Sequence, residues 1–104
     1  MKINDSNIKK AVKYLNNHEC IGIPTETVYG LAANAYSNKA TKRIFKLKGR
    51  PADNPLIVHY YNIKDLEKDC ETNTLFYKLY NSLCPGPITF ILKLKNESKI
   101  SKNV

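Results

Sequence analysis

Side chains that could do chemistry fall into three clusters along the 104-residue sequence. The first is Pro24–Leu31, in which Thr25, Glu26, Thr27 and Tyr29 lie next to a glycine, directly after a predicted strand. Polar groups at the end of a strand can line a pocket for a small polar substrate. The alternative is a β-turn in which the threonine hydroxyls satisfy neighbouring backbone groups.

The second cluster combines two cations at the predicted end of a helix. Lys48 and Arg50 are two residues apart, Gly49 and Pro51 break the helix, and Asn54 follows. The guanidinium can hold a phosphate as a bidentate fork, and the lysine can act as a mobile point charge. No GxxxxGK[ST] motif is present in the sequence, so a P-loop is excluded. The alternative is a solvated helix end whose cations complement the helix dipole.

The third candidate is His59, which follows the apolar run 56–58. A lone histidine beside a strand is more often structural, and this one matters only if Thr27 or Arg50 shares its cavity. The sequence has no Ser–His–Asp set and no metal-spaced cluster of His, Asp and Glu. A hydrolase with paired carboxylates or a covalent nucleophile is therefore not indicated.

Composition and charge narrow the class of protein. The chain has 42% hydrophobic and 25% charged residues, typical of one globular domain at most. It has no run of about 18 apolar residues and no apolar leader, so we expect a cytoplasmic protein with no membrane partner. The three cysteines are widely spaced, which favours small apolar fillers over a zinc or redox site. They are Cys20, Cys70 and Cys84.

The net charge of +8 is concentrated in a few segments. Residues 36–50 carry six cations and no acid, residues 93–104 add four lysines against one glutamate, and residues 51–70 are net acidic. A basic block of this kind indicates an anionic partner such as a nucleotide phosphate or RNA. The alternative is a solvated helix face that keeps the chain soluble.

The hydrophobic pattern predicts the elements that position these clusters. A helix capped by Ser6 carries an apolar stripe, a short strand covers Cys20–Ile23 and is stopped by Pro24, and residues 25–35 form a loop or short strand. Ser37 caps a second helix, which points Ala40, Ile44 and Leu47 inward and ends at Gly49. The first helix has its stripe at Ile8, Ala11, Val12 and Leu15.

The second half of the chain is predicted in the same way. A buried strand covers residues 56–58, and helices start after Asn62 and run from Thr74 to Leu83 with Leu75, Phe76, Leu79 and Leu83 as the apolar stripe of the latter. Cys84–Pro87 is a turn, and the alternating run Ile88–Leu94 is a strand. This order of elements predicts an α/β sheet covered by helices.

Three linked motifs together resemble the YrdC-like family, the threonylcarbamoyl-AMP synthases. They are PTETVYGLAANA, KLKGRPADNPLIVH and CPGPITFIL, and the resemblance covers about residues 8–94. It implies a twisted mixed sheet flanked by helices around a positively charged cavity. It also implies that L-threonine, bicarbonate and ATP form L-threonylcarbamoyladenylate and pyrophosphate, for the modification of adenosine 37 in tRNA.

The resemblance also implies roles for single residues. Thr27 and His59 would contact L-threonine, and Lys48, Arg50 and Asn54 would contact ATP. Thr25 and Tyr29 would belong to the pocket wall. The resemblance implies Mg²⁺ on the phosphates of ATP and no prosthetic group. From the residues themselves we expect no metal held by the protein, and RNA or tRNA as a partner of the basic helix.

The family's domain is about twice the length of this chain. Its second half carries a Ser-x-Asn motif and a further arginine that this sequence lacks, so residues 1–104 are expected to be the N-terminal part of a single YrdC-like domain. A second polypeptide that supplies the rest is an expected partner, and the isolated chain is expected to be poorly stable. The alternatives are a truncated remnant and a module that binds RNA or nucleotide without catalysis.

Overall fold

The computed structural model describes residues 4–25, 28–49 and 56–104. It is an α/β structure, as predicted, and it divides into two compact units, Met1–Leu56 with Ile100–Val104 and Ile57–Lys99. We call them the first and the second unit. The elements are α1 (Asp5–Asn16), β1 (Ile21–Pro24), β2 (Tyr29–Ala32), α2 (Asn38–Lys48), α3 (Ile63–Asp69) and α4 (Thr74–Leu83). None of the described helices is long and apolar enough to cross a membrane.

The sheet of the first unit is an antiparallel hairpin of β1 and β2. Ile21 lies opposite Ala32, and Pro24 lies opposite Tyr29 at the loop end. The strand is therefore shifted by one residue from the predicted 20–23. Pro24, which was expected to follow the strand, is its last residue. The described residues therefore form two strands of the predicted mixed sheet.

The first helix begins earlier than predicted. Its N-cap is Asn4, whose side-chain oxygen accepts a hydrogen bond from the backbone N–H of Asn7 at 2.9 Å, so Ser6 lies inside the first turn. Asn is as good a cap as Ser, because its oxygen also reaches the third residue on. No residue of α1 is buried, and Ile8 and Val12 of its apolar stripe are about half exposed.

The second helix has the predicted caps and a different buried face. Ser37 is the N-cap, and Gly49 ends the helix in the left-handed region with φ 61°. Ala40, Ile44 and two further residues are buried, but Leu47 is 63% exposed and the prediction that it points inward is wrong. The buried residues form a face with the spacing i, i+1, i+4, i+5, and they are Ala40, Thr41, Ile44 and Phe45.

The second unit is built around one aromatic ring. Asn62 caps α3 and Asn73 caps α4, so both helices begin where the sequence predicts. Phe76 is buried, and its ring lies 5.0 Å from that of Phe90 in an edge-on arrangement. The other members of the predicted stripe of α4 are exposed, namely Leu75, Leu79 and Leu83.

Two predicted strands are wrong. Residues 56–58 and 88–93 belong to no strand or bridge, and Leu94 forms a single antiparallel bridge with Cys70. A strand exists only where a neighbour satisfies its backbone N–H and C=O groups, whatever its side-chain pattern. The described residues offer such a neighbour to Leu94 and not to the segments before it.

Candidate functional site

The loop that joins β1 and β2 is held by Thr25. The backbone N–H of Thr25 donates to the carbonyl of Val28 at 3.1 Å, and the Val28 N–H donates to the Thr25 hydroxyl at 3.2 Å. The same hydroxyl donates to the Val28 carbonyl. Both hydrogen-bonding capacities of the side chain are thus used on local backbone, which is the structural alternative that the sequence left open for this threonine.

Two neighbours of that loop have different roles. A Cβ at Gly30 would lie 3.3 Å from the methyl carbon of Thr25, so a larger residue at this position would press on the threonine that holds the loop. Tyr29 is 65% exposed and stands at the loop end of β2, where its ring is available to a ligand or to another part of a protein. Thr27, the predicted contact to L-threonine, lies outside the described residues.

Of the three residues predicted to contact ATP, Lys48 is the one that the structure describes. Lys48 is the last residue of α2 and is exposed, and it forms no ion pair with a described residue. Gly49 ends the helix in the left-handed region, and its backbone N–H donates to the carbonyl groups of Phe45 and Lys46. Arg50 and Asn54 lie outside the described residues.

The outer face of α2 is strongly cationic. Four basic side chains at i, i+3, i+4 and i+7 are exposed, and the helix contains no acid. The described ion pairs are both elsewhere, since they join Lys68 to Asp65 and Lys93 to Glu71. This cationic face consists of Lys39, Lys42, Arg43 and Lys46, with Lys48 following at the helix end.

His59 belongs to the second unit, whereas Thr25, Tyr29 and Lys48 belong to the first. It is exposed, and its ring makes no hydrogen bond or ion pair with a described residue. It is therefore free to bind a ligand, and the burial expected of a structural histidine beside a strand is not observed.

A network of hydrogen bonds joins the last residues of the chain to the start of α2. The sequence analysis did not predict it. Thr41, which is 2% exposed, has its hydroxyl 2.9 Å from the Ser37 carbonyl and 2.9 Å from the Ser101 hydroxyl. Ser101 donates to the Asn38 side-chain oxygen at 2.6 Å, and its backbone N–H donates to the Ala35 carbonyl at 2.8 Å. These contacts orient the helix that carries the cationic face. They join residues far apart in sequence, so no local sequence pattern predicts them.

Burial raises the pKa of two of the three cysteine thiols. Burial raises the pKa of Cys20 above its ordinary value, against the smaller opposing effect of the Arg43 guanidinium. Burial also raises the pKa of Cys70, and the neighbouring Asp69 carboxylate raises it further. Both thiols stay protonated at neutral pH, which agrees with their predicted role as small fillers.

An open cavity of about 580 Å³ lies in the first unit between α1, the start of β1 and α2. Its lining includes Tyr14, Arg43 and Leu47, and it includes none of the described residues predicted for the site. Within the described ranges, no group of three or more His, Cys, Asp or Glu residues could hold a metal ion.

Comparison with known proteins gives a family match over most of the chain. The family model Sua5/yciO/yrdC, described as "Telomere recombination", matches residues 13–104. The threonylcarbamoyl-AMP synthase of Bacillus subtilis is 41% identical over an alignment of 103 positions, which covers 94% of this chain and 29% of that protein.

Two solved structures have a backbone fold similar to that of this chain. A variant of Sua5 from Pyrococcus abyssi superimposes with a TM-score of 0.89 at 38% identity, over 98% of this chain and 31% of that one. Sua5 of the same organism in complex with L-threonine gives a TM-score of 0.76 at 42% identity, over 84% of this chain and 26% of that one. The chain thus spans less than a third of the length of these relatives.

Proposed function

Because this chain belongs to the Sua5/yciO/yrdC family, we propose that it contributes part of the substrate-binding domain of a threonylcarbamoyl-AMP synthase. The observation that carries the proposal is the 41% identity to a protein of that name, together with the likeness to a structure solved with L-threonine. The substrates would be L-threonine, bicarbonate and ATP, and the products L-threonylcarbamoyladenylate and pyrophosphate. The product would serve the N6-threonylcarbamoyl modification of adenosine 37 in tRNA.

The reaction proceeds in two steps in this proposal. The amine of L-threonine attacks bicarbonate, a C–N bond forms, and water leaves to give a carbamate. A carbamate oxygen then attacks the α-phosphorus of ATP, the bond to the β-phosphate oxygen breaks, and pyrophosphate leaves with its electron pair. Such a reaction needs a protein that positions three substrates and neutralises phosphate charge, and it needs no covalent nucleophile.

The residues divide between the two larger substrates. Thr27 and His59 bind L-threonine, and the exposed imidazole of the histidine is available for this. Lys48 binds the phosphates of ATP with Arg50 and Asn54, and its exposed ammonium has no competing carboxylate among the described residues. Magnesium would be held by the phosphates of ATP, whose oxygens are the ligands that this ion prefers. Tyr29 and Thr25 form part of the pocket wall.

Pyrophosphate release tests the proposal. The purified 104-residue chain is mixed with ATP and bicarbonate, with and without L-threonine, and with and without the part of the Bacillus subtilis relative that lies outside the match. We expect threonine-dependent pyrophosphate release when that second polypeptide is present. Lys48→Ala should lower this rate, whereas the matched change Lys39→Ala, on the outer face of the same helix, should not. If no threonine-dependent pyrophosphate release occurs either with or without the second polypeptide, the proposed activity is wrong.

A second candidate function is the binding of RNA, and the cationic face of α2 favours it. Neutralising four phosphates with four cations gives a log–log salt slope of about −3.6, so affinity for a tRNA stem should fall roughly 100-fold between about 50 and 200 mM salt. A filter-binding titration of tRNA at these salt concentrations measures the slope. Lys42→Ala should reduce the slope by about one. Affinity that does not change with salt would rule out this function.

A further inference from the structure

The turn that joins α1 to β1 contains a residue with a left-handed backbone. His18 has a φ of 62°, and among the described residues it alone has a positive φ without being glycine. The His18 N–H donates to the Leu15 carbonyl at 3.2 Å, and the Glu19 N–H donates to the Tyr14 carbonyl at 3.1 Å. This is the Schellman pattern, in which glycine usually occupies the left-handed position because a Cβ there is strained. A histidine at this position therefore points to a use for its side chain.

The imidazole of His18 contacts the residue that caps α2. Its Nδ1 lies 2.7 Å from the Ser37 hydroxyl oxygen, and the same oxygen accepts a hydrogen bond from the backbone N–H of Ala40 at 3.0 Å. Ser37 is 5% exposed, so its hydroxyl proton needs an acceptor inside the protein. His18 Nδ1 is the acceptor that the described residues offer it. It follows that Nδ1 is unprotonated and that the ring proton is on Nε2.

The same turn makes a second contact with the start of α2. The Cys20 thiol donates to the carbonyl of the buried Ala40, with 3.6 Å between sulfur and oxygen. The hydrogen bonds of Ser101 hold the first turn of α2 as well, from the end of the chain. This turn is thus held by two parts of the chain, one of which is residues 18–20. Because a helix of this length moves as a rigid rod, contacts at its start determine where it carries Lys48 at its other end.

We propose that His18 is a positioning residue for the phosphate-binding end of α2. Its ring holds the Ser37 cap, the cap holds the first turn of the helix, and the helix carries the Lys48 ammonium group. This inference rests on the proposed function, in which Lys48 contacts the phosphates of ATP. It adds to that function a residue that touches no substrate and acts through a hydrogen bond at the opposite end of the helix.

Three substitutions separate the ring from the turn that carries it. His18→Gly keeps the left-handed turn, relieves its strain and removes the acceptor. His18→Asn keeps an acceptor, because asparagine tolerates a positive φ and its Oδ1 is as many bonds from Cβ as Nδ1 is. The matched control is Asn17→Gly in the same turn. Asn17 is exposed, has a φ of −90°, and its side chain makes no hydrogen bond with a described residue.

Two measurements report the contact without any need for activity. Nitrogen NMR of the histidine-labelled chain is recorded at about pH 8, where free imidazole is neutral. Nδ1 of His18 should show the chemical shift of an unprotonated nitrogen, and Nε2 that of a protonated one. The Ala40 amide should exchange with solvent at least about tenfold faster in His18→Gly than in the unchanged chain, because a cap without its acceptor opens more often. In His18→Asn and in Asn17→Gly the exchange should change less than about threefold.

Pyrophosphate release in the presence of the second polypeptide measures the effect on ATP. His18→Gly should raise the KM for ATP at least about threefold and that for L-threonine less than about twofold, and His18→Asn should restore the KM for ATP. A protonated Nδ1, equal exchange of the Ala40 amide in His18→Gly and Asn17→Gly, or an unchanged KM for ATP in His18→Gly would each overturn the proposal. If the unchanged chain releases no pyrophosphate, the proposed activity is wrong, and the amide exchange and nitrogen shifts still show whether His18 holds α2.

Discussion

Replacing Thr41 by valine should lower the free energy of unfolding by about 1–2 kcal/mol. The two side chains are nearly equal in size, so the change removes a hydroxyl group and leaves the packing in place. That hydroxyl is buried and lies within 2.9 Å of the Ser37 carbonyl and of the Ser101 hydroxyl. It also accepts a longer hydrogen bond, of 3.3 Å, from the Asn103 side-chain amide.

The magnitude follows from the partners that remain. Ser101 keeps its bonds to Asn38 at 2.6 Å and to the Asn103 backbone N–H at 3.1 Å, and the Asn103 amide keeps the Asn38 carbonyl at 3.1 Å. No polar group of the network is therefore left without a partner, and the full penalty for a buried unsatisfied group does not apply. One or two net hydrogen bonds are lost, at about 0.5–1.5 kcal/mol each.

Urea titration followed by circular dichroism measures the change. The matched control is Thr74→Val, because Thr74 is exposed at the start of α4 and its side chain has no hydrogen-bond partner among the described residues. We expect the control to stay within about 0.5 kcal/mol of the unchanged chain. A double-mutant cycle of Thr41→Val with Ser101→Ala should give a coupling of about 1 kcal/mol.

Two results would refute this reasoning. One is an equal loss of stability in Thr41→Val and Thr74→Val, which would mean that the buried hydroxyl contributes nothing net. The other is a coupling of zero with Ser101→Ala, which would mean that the end of the chain is not held by this contact. In that case the amide of Ser101, bonded to Ala35, should also exchange at the same rate in the variant and in the unchanged chain.

Three further predictions concern other parts of the chain. A Cβ at Gly49 meets no atom of the described residues within 4 Å, so we expect Gly49→Ala to cost what the left-handed φ of 61° imposes, about 1 kcal/mol by urea titration. In a complete enzyme Arg50→Ala should raise the KM for ATP far more than that for L-threonine, and Thr27→Ala the reverse; equal changes in both would contradict the division of the pocket. The raised pKa values of Cys20 and Cys70 imply that the unfolded chain loses thiol protons near pH 9 while the folded chain keeps them, so stability falls as pH rises past 9. The fall in urea midpoint from about pH 8 to about pH 10 should be smaller with both cysteines changed to serine, and an unchanged fall would speak against the buried thiols.

Local rules were enough to predict the four helices and most of their ends, although α1 is capped by Asn4 and not by Ser6. Ser37 and Asn62 cap helices because a side-chain oxygen reaches a backbone N–H three residues on, and Gly49 ends α2 because it tolerates a positive φ. These interactions involve neighbours in sequence, so composition and spacing reveal them. The same holds for α4, whose start at Thr74 was also predicted.

Features that depend on distant partners could not be read in this way. The alternation of residues 88–94 correctly describes side chains suited to a strand, but pairing needs a second backbone, and the described residues provide one only beside Leu94. The seating of Ser101 on α2 joins residues 60 positions apart in sequence and has no periodic signature. For Thr25 the sequence left two roles open, and its bonds to Val28 select the local one for its hydroxyl.

The position of α2 links the stability of the first unit to its chemistry. The helix rises about 1.5 Å per residue, so Lys48 lies about 10 Å along the helix axis from Thr41, too far for direct contact. A helix is rigid over that length, and a change in its seating moves the ammonium group at its far end. If Lys48 binds the phosphates of ATP, Thr41→Val should therefore raise the KM for ATP in a complete enzyme, although it touches no substrate. An unchanged KM for ATP with a reduced stability would mean that the burial of Ile44 and Phe45 alone orients this helix.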